Sequence, residues 1–393
     1  MKKLLYLKKG KEESLKRYHP WIFSGAVHHT EGELQEGDIV TVLTIDGEFV
    51  AVGHWQIGSI AVRVLSFLDE PIDRHFWEER LRMALSVRVR VGVADCQNNN
   101  TFRLVHGEGD NLPGLVIDMY GPVAVMQAHS VGMHVCRQDI AAALLSVMGD
   151  HLKAIYYKSE TTLPFKASLG QENGFLFGES KEDVALENGL KFHIDWQKGQ
   201  KTGFFVDQRD NRSLVEQYSK DRSVLNMFCY TGGFSVYSMR GGAKVVHSVD
   251  SSAKAVELVN ANMEMNFPGD TRHAAFVEDA FKYLEQMERT YDLIILDPPA
   301  FAKHKDALKN ALRGYTKLNA KAFEKILPGG ILFTFSCSQA VNKDQFRTAV
   351  FTAAAISHRR VRILHQLHQP ADHPINIYHP EGEYLKGLVL YVE

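Results

Sequence analysis

The sequence has few cysteines, no long apolar run and almost no net charge. Its 393 residues include four cysteines, none of them in a Cys-x-x-Cys pair, which argues against a zinc site, an iron–sulfur cluster or a disulfide framework. No run of about 18 apolar residues is present, so we expect no membrane partner. The formal net charge of −2 does not by itself indicate a nucleic-acid-binding protein. The length favours two or three globular domains, and no metal is expected.

The first residues are basic, but their apolar stretch is too short for a signal peptide. We therefore expect a cytoplasmic protein. Positive charge is concentrated in two places, residues 1–20 and residues 303–325, and each holds seven lysines and arginines against two acids. Local patches of this kind can bind phosphate even when the whole chain is nearly neutral, although a solvated basic face is the simpler explanation of one patch alone. The second patch contains Lys303, Lys305, Lys309, Arg313, Lys317, Lys321 and Lys325.

Hydrophobic patterning divides the chain into three segments. Residues 1–70 contain short β-branched runs separated by turns, which is typical of a small β-rich module. Residues 71–188 predict a central α+β domain with a basic helix over 73–92. In residues 189–393 apolar strands alternate with helices, which predicts an α/β doubly wound sheet. The strand and helix pairs are expected at 223–227 and 234–240, 244–249 and 253–265, 276–277 and 280–289, 291–296 and 307–325, and 330–336 and 343–356.

A glycine-containing turn follows the first strand of this α/β segment and spans Asn226–Ser235. Glycines at a strand-to-helix turn let the backbone approach a ligand, and the helix start supplies amide donors. The complete G-x-G-x-x-G fingerprint is absent, which disfavours NAD. A plain tight turn is the alternative interpretation.

Acidic residues end the next three strands. Asp250 follows the second strand, where a carboxylate can hold a ribose diol, and Asp279 follows the third. Each of these two acids could instead cap a helix. The fourth strand ends in Asp297-Pro298-Pro299, in which the prolines predict a rigid loop. Ligands bind beyond the carboxyl ends of strands in such sheets, so features at four successive ends predict a binding site.

The order of these motifs resembles the class I S-adenosylmethionine-dependent methyltransferases. Three further strings, at 19–27 (HPWIFSGAV), 201–212 (KTGFFVDQRDNR) and 334–338 (TFSCS), make the chain similar over its whole length to the RlmI-type family of 23S ribosomal RNA cytosine-5 methyltransferases. The resemblance implies an N-terminal PUA domain, a central α+β domain and a C-terminal Rossmann-like methyltransferase domain. It also implies that S-adenosylmethionine lies among Gln208, Arg209, Phe228, Tyr230, Thr231, Gly232, Asp250, Asp279 and Asp297.

Cys337 is the predicted nucleophile. A thiolate that adds to carbon 6 of cytosine makes carbon 5 nucleophilic, and Asp297 could bind the cytosine edge and stabilise the charge that builds on the ring. A small buried cysteine is the alternative for Cys337. Cys229 is a second candidate, but it lies within the cofactor turn.

One feature departs from many RNA cytosine-5 methyltransferases, which carry a second cysteine after the proline of the fourth-strand motif. Here the motif reads Pro298-Pro299-Ala300, so the acceptor of the carbon 5 proton is not identified. Loops of this type also resemble those of guanine or adenine N-methyltransferases, and a non-catalytic RNA-binding or assembly protein is a third possibility. The expected partner is 23S ribosomal RNA, and a homodimer stays open. Trp21 and Phe23 are expected in the barrel core rather than stacked on bases.

Overall fold

The computed structural model describes residues 3–163, 169, 172–288, 290–302 and 305–393. The chain forms two compact units. The first contains residues 1–184, 194–204 and 371–382, and the second contains residues 185–193, 205–370 and 383–393. Among the described residues, no helix combines the length and the apolar character that a membrane crossing requires.

The first unit begins with a six-stranded sheet in the order β2-β6-β5-β4-β1-β3. Leu5, Leu7, Val40 and Val42 alternate with more exposed neighbours and form the centre of its core. The elements are β1 Leu4–Leu7, α1 Glu13–Lys16, β2 Trp21–Phe23, β3 Val27–Glu31, β4 Ile39–Leu43, β5 Phe49–Trp55 and β6 Ile60–Ser66.

The expectation that Trp21 and Phe23 lie in the barrel core is wrong. Side chains alternate between the two faces of a strand, and Ile22 is the residue of β2 that is buried. Phe23 is 50% exposed, and Trp21 is partly exposed, with its indole N–H donating to Glu108 Oε1 at 2.8 Å. The strand therefore places these two aromatic rings outside the core.

A five-stranded sheet in the order β11-β10-β9-β8-β7 follows in the same unit. Its buried face packs with α2 and α4 in one apolar core that includes Trp77, Leu81, Ile117 and Leu144. The helical segment between β9 and β10 is divided into two helices, which meet at Cys136. The elements are α2 Arg74–Arg90, β7 Thr101–His106, β8 Leu115–Tyr120, β9 Val123–Ala128, α3 Val131–Val135, α4 Arg137–Met148, β10 Ala154–Tyr157 and β11 Gly174–Phe177.

The second unit is built on a seven-stranded sheet in the order β16-β15-β14-β17-β18-β20-β19. β14 to β18 are parallel, and β20 pairs antiparallel with β18 and β19. A two-stranded sheet, β12 Val184–Glu187 and β13 Leu190–His193, precedes it. The strands of the large sheet are β14 Ser223–Met227, β15 Val245–Asp250, β16 His273–Val277, β17 Leu293–Leu296, β18 Gly330–Ser336, β19 Val361–His368 and β20 Lys386–Val392.

The helices that follow β14, β15, β16 and β17 connect the parallel strands, so the carboxyl ends of β14, β15, β17 and β18 meet along one edge of the sheet. This is the α/β fold that the alternating pattern predicts. The helices are α5 Arg209–Tyr218, α6 Gly233–Arg240, α7 Ala253–Asn266, α8 Ala280–Gln286, α9 Leu308–Lys325 and α10 Lys343–Ile356.

Candidate cofactor and cysteine site

The turn between β14 and α6 has an unusual backbone. Phe228, Tyr230 and Gly232 have φ values of 59°, 47° and 78°, so three of five consecutive residues adopt left-handed conformations. A Cβ atom on Gly232 would lie 2.9 Å from Val259 Cγ1 on α7, so only glycine allows this close packing. Asn226 Nδ2 donates to Ser235 Oγ at 2.8 Å and fixes the end of β14 to the start of α6.

Asp250 is tied to this turn by the backbone. Its Oδ2 accepts the N–H of Tyr230 at 3.0 Å, and its Oδ1 accepts the N–H of Ser252 at 2.9 Å. Asp279 is exposed and caps α8, because its Oδ1 accepts the N–H of Lys282 at 3.0 Å. Asp250 therefore contacts the predicted cofactor turn Asn226–Ser235, called the cradle below. The contact found for Asp279 is with the N-terminus of α8.

Asp297 lies directly after β17. It contacts polar side chains that come from the segment before α5 and from the first turn of α5. Gln208 Nε2 donates to Asp297 Oδ2 at 3.0 Å, and Asn211 Nδ2 donates to Gln208 Oε1 at 2.6 Å. Burial and the negative charge of Asp207 raise the pKa of Asp297 to about 7, and the hydrogen bond from Gln208 opposes this shift. Asp297 thus exchanges its proton near neutral pH.

A buried ion pair between Arg212 and Glu187 fixes the segment around Gln208. Arg212 donates Nε and Nη2 to the two carboxylate oxygens of Glu187, at 2.8 and 2.6 Å, and Nη1 to the carbonyl oxygen of Phe205 at 2.9 Å. Arg209 is also buried, with Nε 3.8 Å from Glu187 Oε2. Arg209 and Arg212 therefore share one acid, and they fix the polypeptide that presents Gln208 to Asp297.

Aromatic packing connects this segment to the cradle. The rings of Phe205 and Tyr230 lie edge to face with centroids 5.2 Å apart. Thr231 is 2% exposed, and its carbonyl oxygen accepts Nδ2 of Asn262 at 2.8 Å. Asp207 Oδ2 accepts the hydroxyl of Tyr384 at 2.7 Å, while the buried Asp207 Oδ1 has no hydrogen-bond partner among the described residues.

Cys337 follows β18, the neighbour of β17, and is partly exposed. The hydroxyl of Ser336 donates to Tyr315 Oη at 2.9 Å, and that of Ser338 donates to the carbonyl oxygen of Ala302 at 2.5 Å. Burial raises the pKa of Tyr315 to about 12, and the negative charges of Cys337 and Asp297 act in the same direction. Cys337 and Asp297 follow β18 and β17, which are parallel neighbours, so they lie at the same edge of the sheet.

Cys229 has a different environment. It is buried, and burial together with the nearby charge of Asp250 strongly raises the pKa of its thiol. Such a thiol is poorly nucleophilic, which favours Cys337 over Cys229 as the reactive cysteine.

Sequence reasoning assigned no role to Asp207, Tyr315 or Lys386. Lys386 is 5% exposed, and its ammonium donates to the carbonyl oxygens of Ser338 and Val341 at 2.5 and 2.6 Å. Lys386 lies far along the chain from Cys337, but β20 pairs with β18 and brings the two together. The signal available in the sequence was a lysine beside the apolar run Leu388–Val392, which follows a turn-rich loop.

The two basic patches are partly neutralised. Lys303 and the side chain of Lys305 lie outside the described residues. On α9, Lys321 pairs with Glu324 at 3.1 Å, and Lys325 donates to the carbonyl oxygens of Glu285 and Met287. Lys309, Arg313 and Lys317 line a groove between α9 and α10 with Leu312 and Thr316. Near the N-terminus, Lys3 pairs with Asp38 and Lys16 with Glu13.

Comparisons with known proteins agree on the class of protein. Residues 169–378 match the family described as S-adenosylmethionine-dependent methyltransferase, and residues 5–67 match the PUA-like domain. The chain is 41% identical to ribosomal RNA large subunit methyltransferase I of Aeromonas hydrophila subsp. hydrophila, over 98% of each chain. The protein of the same name from Tolumonas auensis is also 41% identical, over 99% of each chain.

Among solved structures, the chain of SMU.776 complexed with SAH superposes with a TM-score of 0.85 at 23% identity, over 100% of both chains. That likeness shows the shared fold, with its PUA-like domain and its Rossmann-like domain.

The residues at the carboxyl edge of the large sheet fit S-adenosylmethionine. The ligand's amino group and ribose hydroxyls are hydrogen-bond donors, and the site offers acceptors in Asp250 and in the unpartnered Asp207 Oδ1. The close packing at Gly232 keeps side chains out of the turn. The chain thus belongs to the ribosomal RNA large subunit methyltransferase I family, whose cofactor is S-adenosylmethionine.

Proposed function

We propose that this protein methylates carbon 5 of a cytosine in 23S ribosomal RNA, in the cytoplasm, through a covalent adduct with Cys337. The relatives that share about two fifths of its residues are named as large-subunit ribosomal RNA methyltransferases, which supports ribosomal RNA as the substrate. The observation that carries the choice of carbon 5 is the position of Cys337, partly exposed after β18, the parallel neighbour of the strand that Asp297 follows.

S-adenosylmethionine supplies an electrophilic methyl group on its sulfonium sulfur. In the proposed scheme Gln208, Arg209, Phe228, Tyr230, Thr231, Gly232, Asp250, Asp279 and Asp297 surround it. Asp250 would accept hydrogen bonds from its ribose, and Asp207 joins this set as an acceptor. The segment that bears Gln208 and Arg209 is held rigidly by Glu187, which favours a preformed site.

The thiolate of Cys337 adds to carbon 6 of the cytosine, and the electron pair of the 5,6 double bond becomes available at carbon 5 for methyl transfer. Asp297 assists this addition, because its raised pKa of about 7 lets it hold a proton near neutral pH and donate it toward the ring nitrogen N3. The carbon 5 proton then leaves to solvent water, the double bond is restored, the thiolate of Cys337 is expelled, and the proton given to N3 returns to Asp297.

Each unit, taken by itself, offers groups that can bind RNA: the cations on α9 in the second unit and the exposed aromatic side chains of β2 in the first. Lys309 and Arg313 lie on the same side of α9, one turn apart, where they can contact successive phosphates. Phe23, half exposed, and Trp21 offer ring faces for unpaired bases. We also propose the domains 1–70, 71–188 and 189–393, which contain the six-stranded, the five-stranded and the seven-stranded sheet, respectively. The boundary at residue 188 lies within the β12–β13 hairpin, whose residues 185–193 belong to the compact second unit. A homodimer stays a prediction.

The test replaces Cys337 with Ala and follows the methylated nucleosides in 23S ribosomal RNA by mass spectrometry. We expect the Cys337→Ala variant to make no 5-methylcytidine, while Cys96→Ala, a control at an exposed cysteine of the first unit, retains activity. Normal carbon methylation by Cys337→Ala would contradict the covalent scheme.

Two other outcomes would support the alternative functions. A methylated guanine or adenine that still forms with Cys337→Ala would support an N-methyltransferase that uses Asp297-Pro298-Pro299. No cofactor binding in calorimetry would support a non-catalytic RNA-binding protein.

A further inference from the structure

We infer that Lys386 is a positioning residue for Cys337, which anchors the loop that carries the thiol and places a positive charge beside it, so that the thiolate forms near neutral pH. This inference rests on the proposed role of Cys337 as the nucleophile.

The first step is the geometry of the two strands. Lys386, the first residue of β20, is the antiparallel partner of Ser336, the last residue of β18. The side chain of Lys386 reaches the loop that follows β18, because Nζ donates to the carbonyl oxygen of Ser338 at 2.5 Å and to that of Val341 at 2.6 Å. Cys337 thus lies between a residue that pairs with the Lys386 backbone and a residue that binds its ammonium.

The second step is the charge around the two groups. Burial lowers the pKa of Lys386 to about 8, and attraction to the negative charge of Cys337 opposes this shift. Glu383 raises and Lys343 lowers the same pKa, and these two side chains form an ion pair with each other. Tyr315 of α9 accepts a hydrogen bond from Ser336, the residue before Cys337, and is kept neutral by its raised pKa of about 12. Because Lys343 is paired with Glu383, Lys386 is the cation among these four side chains that we expect to act on Cys337.

The third step is the proton balance. Two hydrogens on Nζ are used by the two carbonyl oxygens, and the third hydrogen of the ammonium is not needed for these bonds. With a pKa of about 8, Lys386 is mainly an ammonium at pH 7, so it acts as a cation and not as a base. The proton that leaves Sγ of Cys337 passes to solvent water, and the ammonium stabilises the thiolate that is left.

The experiment measures the alkylation rate of Cys337 by iodoacetamide as a function of pH, with peptide mass spectrometry to separate the cysteines. Exposed Cys96 in the same protein is the internal reference. We expect Lys386→Met to move the midpoint of Cys337 alkylation upward by about one pH unit or more and to slow the reaction about tenfold at pH 7, because an adjacent opposite charge has an effect of this size. Lys386→Arg, which keeps the charge, should restore most of the rate, and the Cys96 profile should not move.

An unchanged Cys337 midpoint in a Lys386→Met protein that still binds S-adenosylmethionine in calorimetry would overturn the inference. If that variant does not fold, the wild-type protein decides, since a Cys337 midpoint at or above that of Cys96 would also overturn it. These measurements need no RNA. Failure of the proposed function would appear separately, as full carbon methylation by Cys337→Ala.

Discussion

Replacing Asp297 with Asn should change how the stability of the second unit depends on pH. Asp297 is surrounded by protein, near the charge of Asp207, and folding raises its pKa from an ordinary 3.8 to about 7. Between these two values the folded chain holds a proton that the unfolded chain has lost. The free energy of unfolding of the wild type therefore falls as pH rises through this window, and Asn, which does not ionise, removes that fall.

The magnitude follows from the size of the shift. A shift of about three pKa units corresponds to about 4 kcal/mol at pH values well above 7. Part of this loss of wild-type stability is already present at pH 5. The difference in unfolding free energy between Asp297→Asn and wild type should therefore grow by about 2–3 kcal/mol from pH 5 to pH 8. Asn can still accept the hydrogen bond from Gln208, so local packing is retained.

Denaturant unfolding followed by far-ultraviolet circular dichroism at pH 5, 6, 7 and 8 measures this difference. Tryptophan fluorescence is unsuitable, because all four tryptophans lie in the first unit. Asp221→Asn, which changes an exposed carboxyl group with φ 61°, is the matched control and should run parallel to the wild type. Parallel curves for Asp297→Asn and the wild type would refute the reasoning about Asp297.

Three further predictions concern the cradle, its support and the RNA surface. Gly232→Ala should cost about 1–3 kcal/mol in thermal unfolding and weaken S-adenosylmethionine binding in calorimetry, because φ is 78° and the added Cβ meets α7; unchanged affinity would contradict the role of this turn. Glu187→Gln should cost about 3–5 kcal/mol in denaturant unfolding, since Arg212 loses its buried counter-charge; a loss below 1 kcal/mol would show that the pair is dispensable. The double variant Lys309→Ala, Arg313→Ala should weaken RNA binding and make its dependence on salt shallower by about two phosphate contacts, and an unaltered salt slope would place the RNA elsewhere.

The sequence predicts much of the second unit because its strands are apolar and its helices carry clear boundaries. The predicted bounds 223–227, 330–336 and 343–356 are those of β14, β18 and α10. Asn342 begins α10 with a reciprocal capping box that includes Gln345, a local signal that needs no tertiary information. β19 was not predicted, because it is an edge strand whose side chains are largely exposed and it shows no clear apolar alternation.

The candidate site could be proposed from the sequence where its residues lie at strand ends, and not where tertiary structure brings residues together. Asp250 and Asp297 follow directly from the pattern of parallel strands. Asp207 and Lys386 were not assigned, because they reach the site only after α5 packs and β20 pairs with β18. The error at Phe23 has a similar cause, since an aromatic residue in a short strand does not reveal which face is buried.

The most direct test of carbon 5 methylation through Cys337 uses a 23S ribosomal RNA transcript that contains 5-fluorocytidine. Fluorine at carbon 5 cannot leave as a proton does, so the thiol cannot be expelled after methyl transfer. In the presence of S-adenosylmethionine, the wild type should form an RNA adduct that survives denaturation and maps to Cys337, and Cys337→Ala should form none. Methylation of ordinary transcript to 5-methylcytidine with no such adduct from the fluorinated transcript would contradict the account.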